Sequence, residues 1–145
     1  MTAYERKLHK IKLYIMCLRT NQLYCHIAKE DIVCYKALVY YDDLQLHSPY
    51  YGNVIWKIGE NHIDSQFKDS AIPDPFLHNK VNYGFHTYKH FQDYCFVDGD
   101  RVFKCIIPQG TKYFDGWLNG NIFVWGYASE QLRIIEEMKN CQEIS

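Results

Sequence analysis

Apolar residues at the start of the chain recur with a helical period. Tyr4, Leu8, Ile11, Ile15 and Leu18 alternate spacings of four and three and share one side of a helix. Thr2 with Glu5 fits a capping box and Asn21 a stop, which predicts an N-terminal amphipathic helix. Arg6, Lys7, Lys10, Lys12 and Arg19 fall mostly off the stripe and read as its solvated face. The period then shortens. Ile32-Val33-Cys34-Tyr35-Lys36-Ala37-Leu38-Val39-Tyr40-Tyr41 is rich in β-branched and aromatic residues, ends on Asp42-Asp43 and predicts a strand.

After a turn at Ser48-Pro49-Tyr50-Tyr51-Gly52-Asn53, Val54-Ile55-Trp56-Lys57-Ile58-Gly59 reads as a second strand. Residues 60–82 are polar, carry Pro73 and Pro75, and read mainly as loop. Tyr83-Gly84-Phe85-His86 is a short extended piece, with Thr87 capping a short helix through Phe91 and Tyr94. Strands follow at residues 101–107 and 122–125, with turns at Asp98-Gly99-Asp100, Pro108-Gln109-Gly110, Asp115-Gly116 and Asn119-Gly120. Residues 130–138 fit either period: Leu132, Ile134 and Met138 suit a strand broken at Glu136, and Leu132, Ile135 and Met138 suit a helix. The order predicts an α+β domain on a largely antiparallel sheet, with residues 1–30 a helical segment packed on a core of 31–145.

Composition narrows the function classes. Aromatic residues reach 17%, with 13 tyrosines, a payload suited to sheet faces, clefts and contact surfaces. A formal net charge of -1 argues against nucleic acid or an anionic membrane as partner. The N-terminus lacks the apolar core of a signal peptide, and no run approaches the ~20 apolar residues that span a bilayer. The expectation is a cytoplasmic protein whose six cysteines are thiols. Metal is not expected, since neither Cys-x-x-Cys nor His-Glu-x-x-His occurs and His86 with His90 is the nearest approach to ligand spacing. Phosphate-cradling glycine motifs and a nucleophile elbow are also missing.

Three polar residues interrupt apolar runs: Lys36 in the first strand, His86 after Gly84-Phe85, and Glu130 after Tyr127-Ala128-Ser129. Each by itself reads as an edge lysine, a satisfied histidine or a solvated glutamate. Their order, with the stretches at residues 101–113 and 127–136, resembles that of ADP-ribosyltransferase-like domains. The resemblance implies that Glu130, with Leu132 two residues on, is the catalytic glutamate. It also implies that Tyr35 and Lys36 lie on the strand that holds NAD, with Lys36 where that family has Arg or His. His86, Thr87 and Tyr88 would form the middle motif. NAD would then be substrate rather than permanent cofactor, and Glu130 would stabilise an oxocarbenium-like state during transfer or NAD hydrolysis. Residues 31–137 also resemble a set of small bacterial and phage proteins, a likeness that brings no activity with it.

A reading from a different class is a non-catalytic module that grips a protein partner with aromatic patches at Tyr40-Tyr41, Tyr50-Tyr51 or residues 114–125. The two readings separate on geometry. An enzyme needs Lys36, His86 and Glu130 in one cleft, whereas an interaction module needs apolar side chains left in solvent.

Overall fold

Alternation of buried and open positions organises the chain. In Arg101–Ile107 the buried residues are Phe103, Cys105 and Ile107, each two apart, as a half-buried strand requires. The computed structural model describes residues 18–40, 46–47, 55–59, 61–91, 101–118 and 124–138. These form twelve strands: β1 Leu18–Thr20, β2 His26–Ile27, β3 Ile32–Tyr40, β4 Leu46–His47, β5 Ile55–Trp56, β6 Asn61–Ile63, β7 Asn79–Val81, β8 Phe85–Tyr88, β9 Arg101–Ile107, β10 Lys112–Trp117, β11 Trp125–Ser129 and β12 Gln131–Glu137. Every pairing between them is antiparallel.

The α+β class with an N-terminal helix is therefore overturned, because no helix occurs among the described residues. Leu18, the last member of the helical stripe, is a strand residue opposite Val81; the rest of the stripe lies outside the described residues, as do the turns at 48–53, 98–100 and 119–120. Thr87 caps nothing. It sits in β8, where Phe85-His86-Thr87-Tyr88 pairs with β11 along its whole length, a use that suits β-branched and aromatic residues. Residues 131–137 resolve as a strand, and the break in their period is a bulge: Ile134 faces Cys105 and Glu136 faces Lys104, which leaves Ile135 extra. Asp115-Gly116, expected as a turn, lies inside β10, while Gly110 does turn, with φ +86°.

The strands run β6-β12-β9-β3-β8-β11-β10-β1-β7, with β2 added on β10 and β4 and β5 beyond β3. β11 and β12 are four steps apart in this order, which a flat sheet would spread over ~19 Å. Glu130 alone joins them, and one linking residue spans at most ~7 Å between its neighbours' Cα atoms. The sheet must roll up. Inside the roll, Cys34, Leu38, Phe103, Cys105, Ile107, Tyr127, Leu132 and Ile134 pack as one cluster. The outer face carries a second cluster, in which Leu18, Ala37, Val81, Tyr88, Phe114, Leu118 and Ala128 are buried beneath the 61–83 segment through Phe67, Ala71 and Tyr83.

Candidate functional site

The roll sorts the residues singled out by the family resemblance. Lys36 and Thr87 alternate with the inner cluster, whereas Tyr35, His86 and Tyr88 belong to the outer face. β3 and β8 share a single pair, Tyr35 with Tyr88, and splay apart beyond it. The half-buried Lys36 side chain fills that gap, its ammonium donating to the His86 carbonyl at 3.0 Å. Burial brings its pKa down to about 8, against the pull of Cys105 and Cys34. Thr87 is fully buried; its hydroxyl lies near the Cys34 thiol, yet outside hydrogen-bond geometry.

On the outer face His86 has Nε2 at 3.0 Å from the Val81 carbonyl and Nδ1 at 3.2 Å from that of Gly84. Burial outweighs both carbonyls and takes its pKa down to about 4, so the neutral ring donates from one nitrogen only. Tyr35 packs against Phe91 with centroids 5.7 Å apart. Glu130 stands at the corner between β11 and β12, its backbone N–H donating to Lys112 at 3.0 Å and its carbonyl accepting from Asp64 at 2.8 Å. The six residues thus occupy the inside, the outside and a corner, and do not line one cleft.

A different set converges. On the inner side of β10 stand Tyr113, Asp115 and Trp117, and across from them on β11 stand Ser129, Tyr127 and Trp125 in register. Tyr113 and Tyr127 meet edge-to-face at 6.0 Å and 70°, and Trp117 and Trp125 at 6.1 Å and 82°. His26, opposite Tyr113 on β2, adds a ring at 5.8 Å, and His78 packs on Trp117 at 4.6 Å. Tyr127 and Trp117 are buried, Asp115 and Tyr113 half-buried, and His26, Lys89 and Trp125 open to solvent. This gradient is the mouth of the roll.

Asp115 is positioned by its backbone. β1 pairs with β10 at Trp117 and β2 pairs at Lys112 and Tyr113, which leaves Asp115 between them without a strand partner on that side. Two side chains take the place of a strand: Asp115 N–H donates to Gln22 Oε1 at 2.7 Å, and Thr20 Oγ1 donates to the Asp115 carbonyl at 2.7 Å. Its carboxyl is pushed up chiefly by burial, with Lys89 and His26 drawing it down. Neither comes within ion-pairing distance, and among the described residues Asp115 has no salt bridge. Burial, then Asp115, raises the Tyr127 hydroxyl well above the usual phenol range. The sequence carried no clear signal for this row: Tyr113-Phe114-Asp115-Gly116-Trp117 does not alternate apolar with polar residues, and its Asp-Gly pair reads as a turn.

Residues 72–80 form the second notable feature. Ile72 and Lys80 exchange backbone hydrogen bonds at 2.8 and 3.0 Å and close the base of a loop. Within it Asp74 Oδ1 accepts from the N–H groups of Phe76 at 3.0 Å and Leu77 at 3.2 Å, an Asx turn held further by Arg19 at 3.7 Å. Pro73 and Pro75 fix φ on either side of Asp74. At the tip Phe76 is 92% exposed and Leu77 63%.

Among the described residues no three His, Cys, Asp or Glu side chains are placed to hold a metal ion. Among the described residues no helix is long and apolar enough to cross a membrane. Cys34 and Cys105 are buried thiols, the former pushed up to about 12 by burial, which makes both poor nucleophiles. Comparison of the chain with protein-family models, with curated proteins and with solved structures finds no match.

Proposed function

We propose that the chain is a non-catalytic recognition module that seats the Phe76–Leu77 tip in an apolar pocket of a protein partner. One observation carries this reading: a large aromatic side chain, 92% exposed, on a loop that hydrogen bonds and prolines already hold in shape. Ordering a loop and its side chains on binding costs affinity, and a loop ordered beforehand avoids much of that cost. Anchors of this kind dominate interface energetics when a pocket desolvates them fully. Among the patches expected from the sequence, residues 114–125 divide, with Phe114 buried and Trp125 open. The side chains of Tyr40-Tyr41 and Tyr50-Tyr51 lie outside the described residues.

The test is affinity capture with wild-type and Phe76→Ser chains, quantified side by side. Because Phe76 packs on little, the substitution should change folding stability by less than about 0.5 kcal/mol. A partner retained by the wild type and lost from the variant supports the proposal; identical capture by both overturns it. Co-sedimentation with lipid vesicles that is lost in Phe76→Ser would instead assign the tip to a membrane surface. The nucleotide reading has its own experiment. Nicotinamide release from NAD, abolished by Glu130→Gln, would make the chain an ADP-ribosyltransferase or NAD glycohydrolase although Lys36, His86 and Glu130 lie on the inner face, the outer face and a corner.

A further inference from the structure

The mouth of the roll combines features that the apolar tip does not use. Asp115 is a half-buried carboxylate with no salt bridge among the described residues, although Lys89 and His26 are close enough to act on it through space. Withdrawing a carboxylate from water is costly unless an opposite charge compensates it. Around it stand two corners of perpendicular aromatic rings, Tyr113 with Tyr127 and Trp117 with Trp125, on the same side of the same two strands. Ring faces carry negative quadrupole and attract cations, indoles most strongly. Trp125 remains 41% exposed, so this side is open to solvent.

We infer that the mouth binds an alkylated ammonium group, with Asp115 as its counter-ion, the open Trp125 and half-buried Tyr113 rings against it, and the buried Trp117 and Tyr127 rings packed behind them. Such a cation offers the missing charge to Asp115 and a greasy, weakly hydrated surface to the rings. A phosphate-bearing ligand is disfavoured, since Asp115 would repel it. A neutral sugar could hydrogen-bond to the carboxylate and stack on Trp125, but it would leave the charge uncompensated. Lys89 is exposed, long and without an ion pair among the described residues, so it can swing aside as the ligand enters. This inference is independent of the Phe76–Leu77 proposal and concerns other residues.

The experiment is a fluorescence titration of the full chain with tetramethylammonium and choline chloride, at constant ionic strength set with sodium chloride. Dimethylbutanol, the uncharged isostere of choline, and glucose are run beside them. Saturable binding of the ammonium probes, about tenfold or more tighter than the isostere, is expected from a desolvated cation–π site. Asp115→Asn keeps the backbone hydrogen bonds to Gln22 and Thr20 and should bring choline down to the level of its isostere. Trp125→Leu, at an exposed position, should weaken both ammonium probes, and Phe76→Ser should leave them unchanged. A trimethyllysine peptide tested against free choline tells a protein-borne ammonium from a free one. Equal binding of choline and dimethylbutanol, preference for glucose, or no saturable binding of either ammonium probe would overturn the inference.

Discussion

His86 and Lys36 each give this protein a pH dependence whose sign follows from burial. His86 keeps its proton in the folded chain only below about 4, against an ordinary value of 6.5, because burial disfavours the imidazolium. Between those values the unfolded chain binds the extra proton and the folded chain does not. Stability should therefore fall as pH drops from 6.5 towards 4 and change no further through this group below that. The loss should be on the order of 1–3 kcal/mol, given a ring that is only partly enclosed. Urea midpoints near neutral pH and at about pH 4.5, for wild type and His86→Gln, isolate the effect. A difference between the two pH values that is the same in both proteins would assign the acid sensitivity elsewhere. Lys36 works in the alkaline range with the same sign. Its folded value of about 8 lies below the ordinary 10.5, so stability rises with pH between the two.

At the level of elements, close backbone contact decides where the chain tolerates a side chain. Gly116 lies in β10 beneath β1, and a Cβ there would stand 1.9 Å from the Arg19 carbonyl oxygen. That neighbour is backbone and cannot rotate away, so Gly116→Ala must push β1 off β10. A loss above about 3 kcal/mol is expected by urea denaturation, in the upper tail for single substitutions. A loss below about 1 kcal/mol would mean that β1 can move, and with it the Thr20 and Gln22 contacts that position Asp115. The same contact explains why an Asp-Gly pair sits inside a strand. Glycine here serves an approach of two backbones, and the aspartate is held by side chains that replace a missing strand.

For the whole molecule the defining event is closure of the roll, which brings β12 back to within one residue of β11. Leu132 is fully buried in the cluster that also contains Tyr127 and so joins the two sides of the interior. Leu132→Ala should cost about 2–5 kcal/mol, as core leucine truncations do. Ile63, 70% exposed at the β6 margin, should tolerate alanine within about 0.5 kcal/mol. Equal costs at the two positions, measured by thermal or urea unfolding, would contradict an interior closed around Leu132.

Much of the local structure could be read from residue order. The β-branched and aromatic content of residues 32–40 and the run at 101–107 specified strands, and Pro108-Gln109-Gly110 specified a turn, whereas residues 130–138 fitted either period until pairing with β9 showed a strand with a bulge at Ile135. Residue preference is a local property, so a linear reading captures it. The fold class was not legible in this way: Leu18 fits a helical stripe, yet its strand is set by pairing with Val81, far along the chain. Nor could order alone show that His86 and Thr87, adjacent in sequence, face opposite sides of a rolled sheet, or that Lys36 spends its ammonium on a carbonyl between splayed strands. Asp115 became a candidate only when β1, β2 and β11 arrived around it. The sequence by itself determined the long strands at residues 32–40 and 101–107 and the turn at Gly110, because these follow from local residue preference. Tertiary structure decided the closure of the roll, the sorting of polar residues between its faces and the mouth at Asp115, because these depend on which distant strands pair.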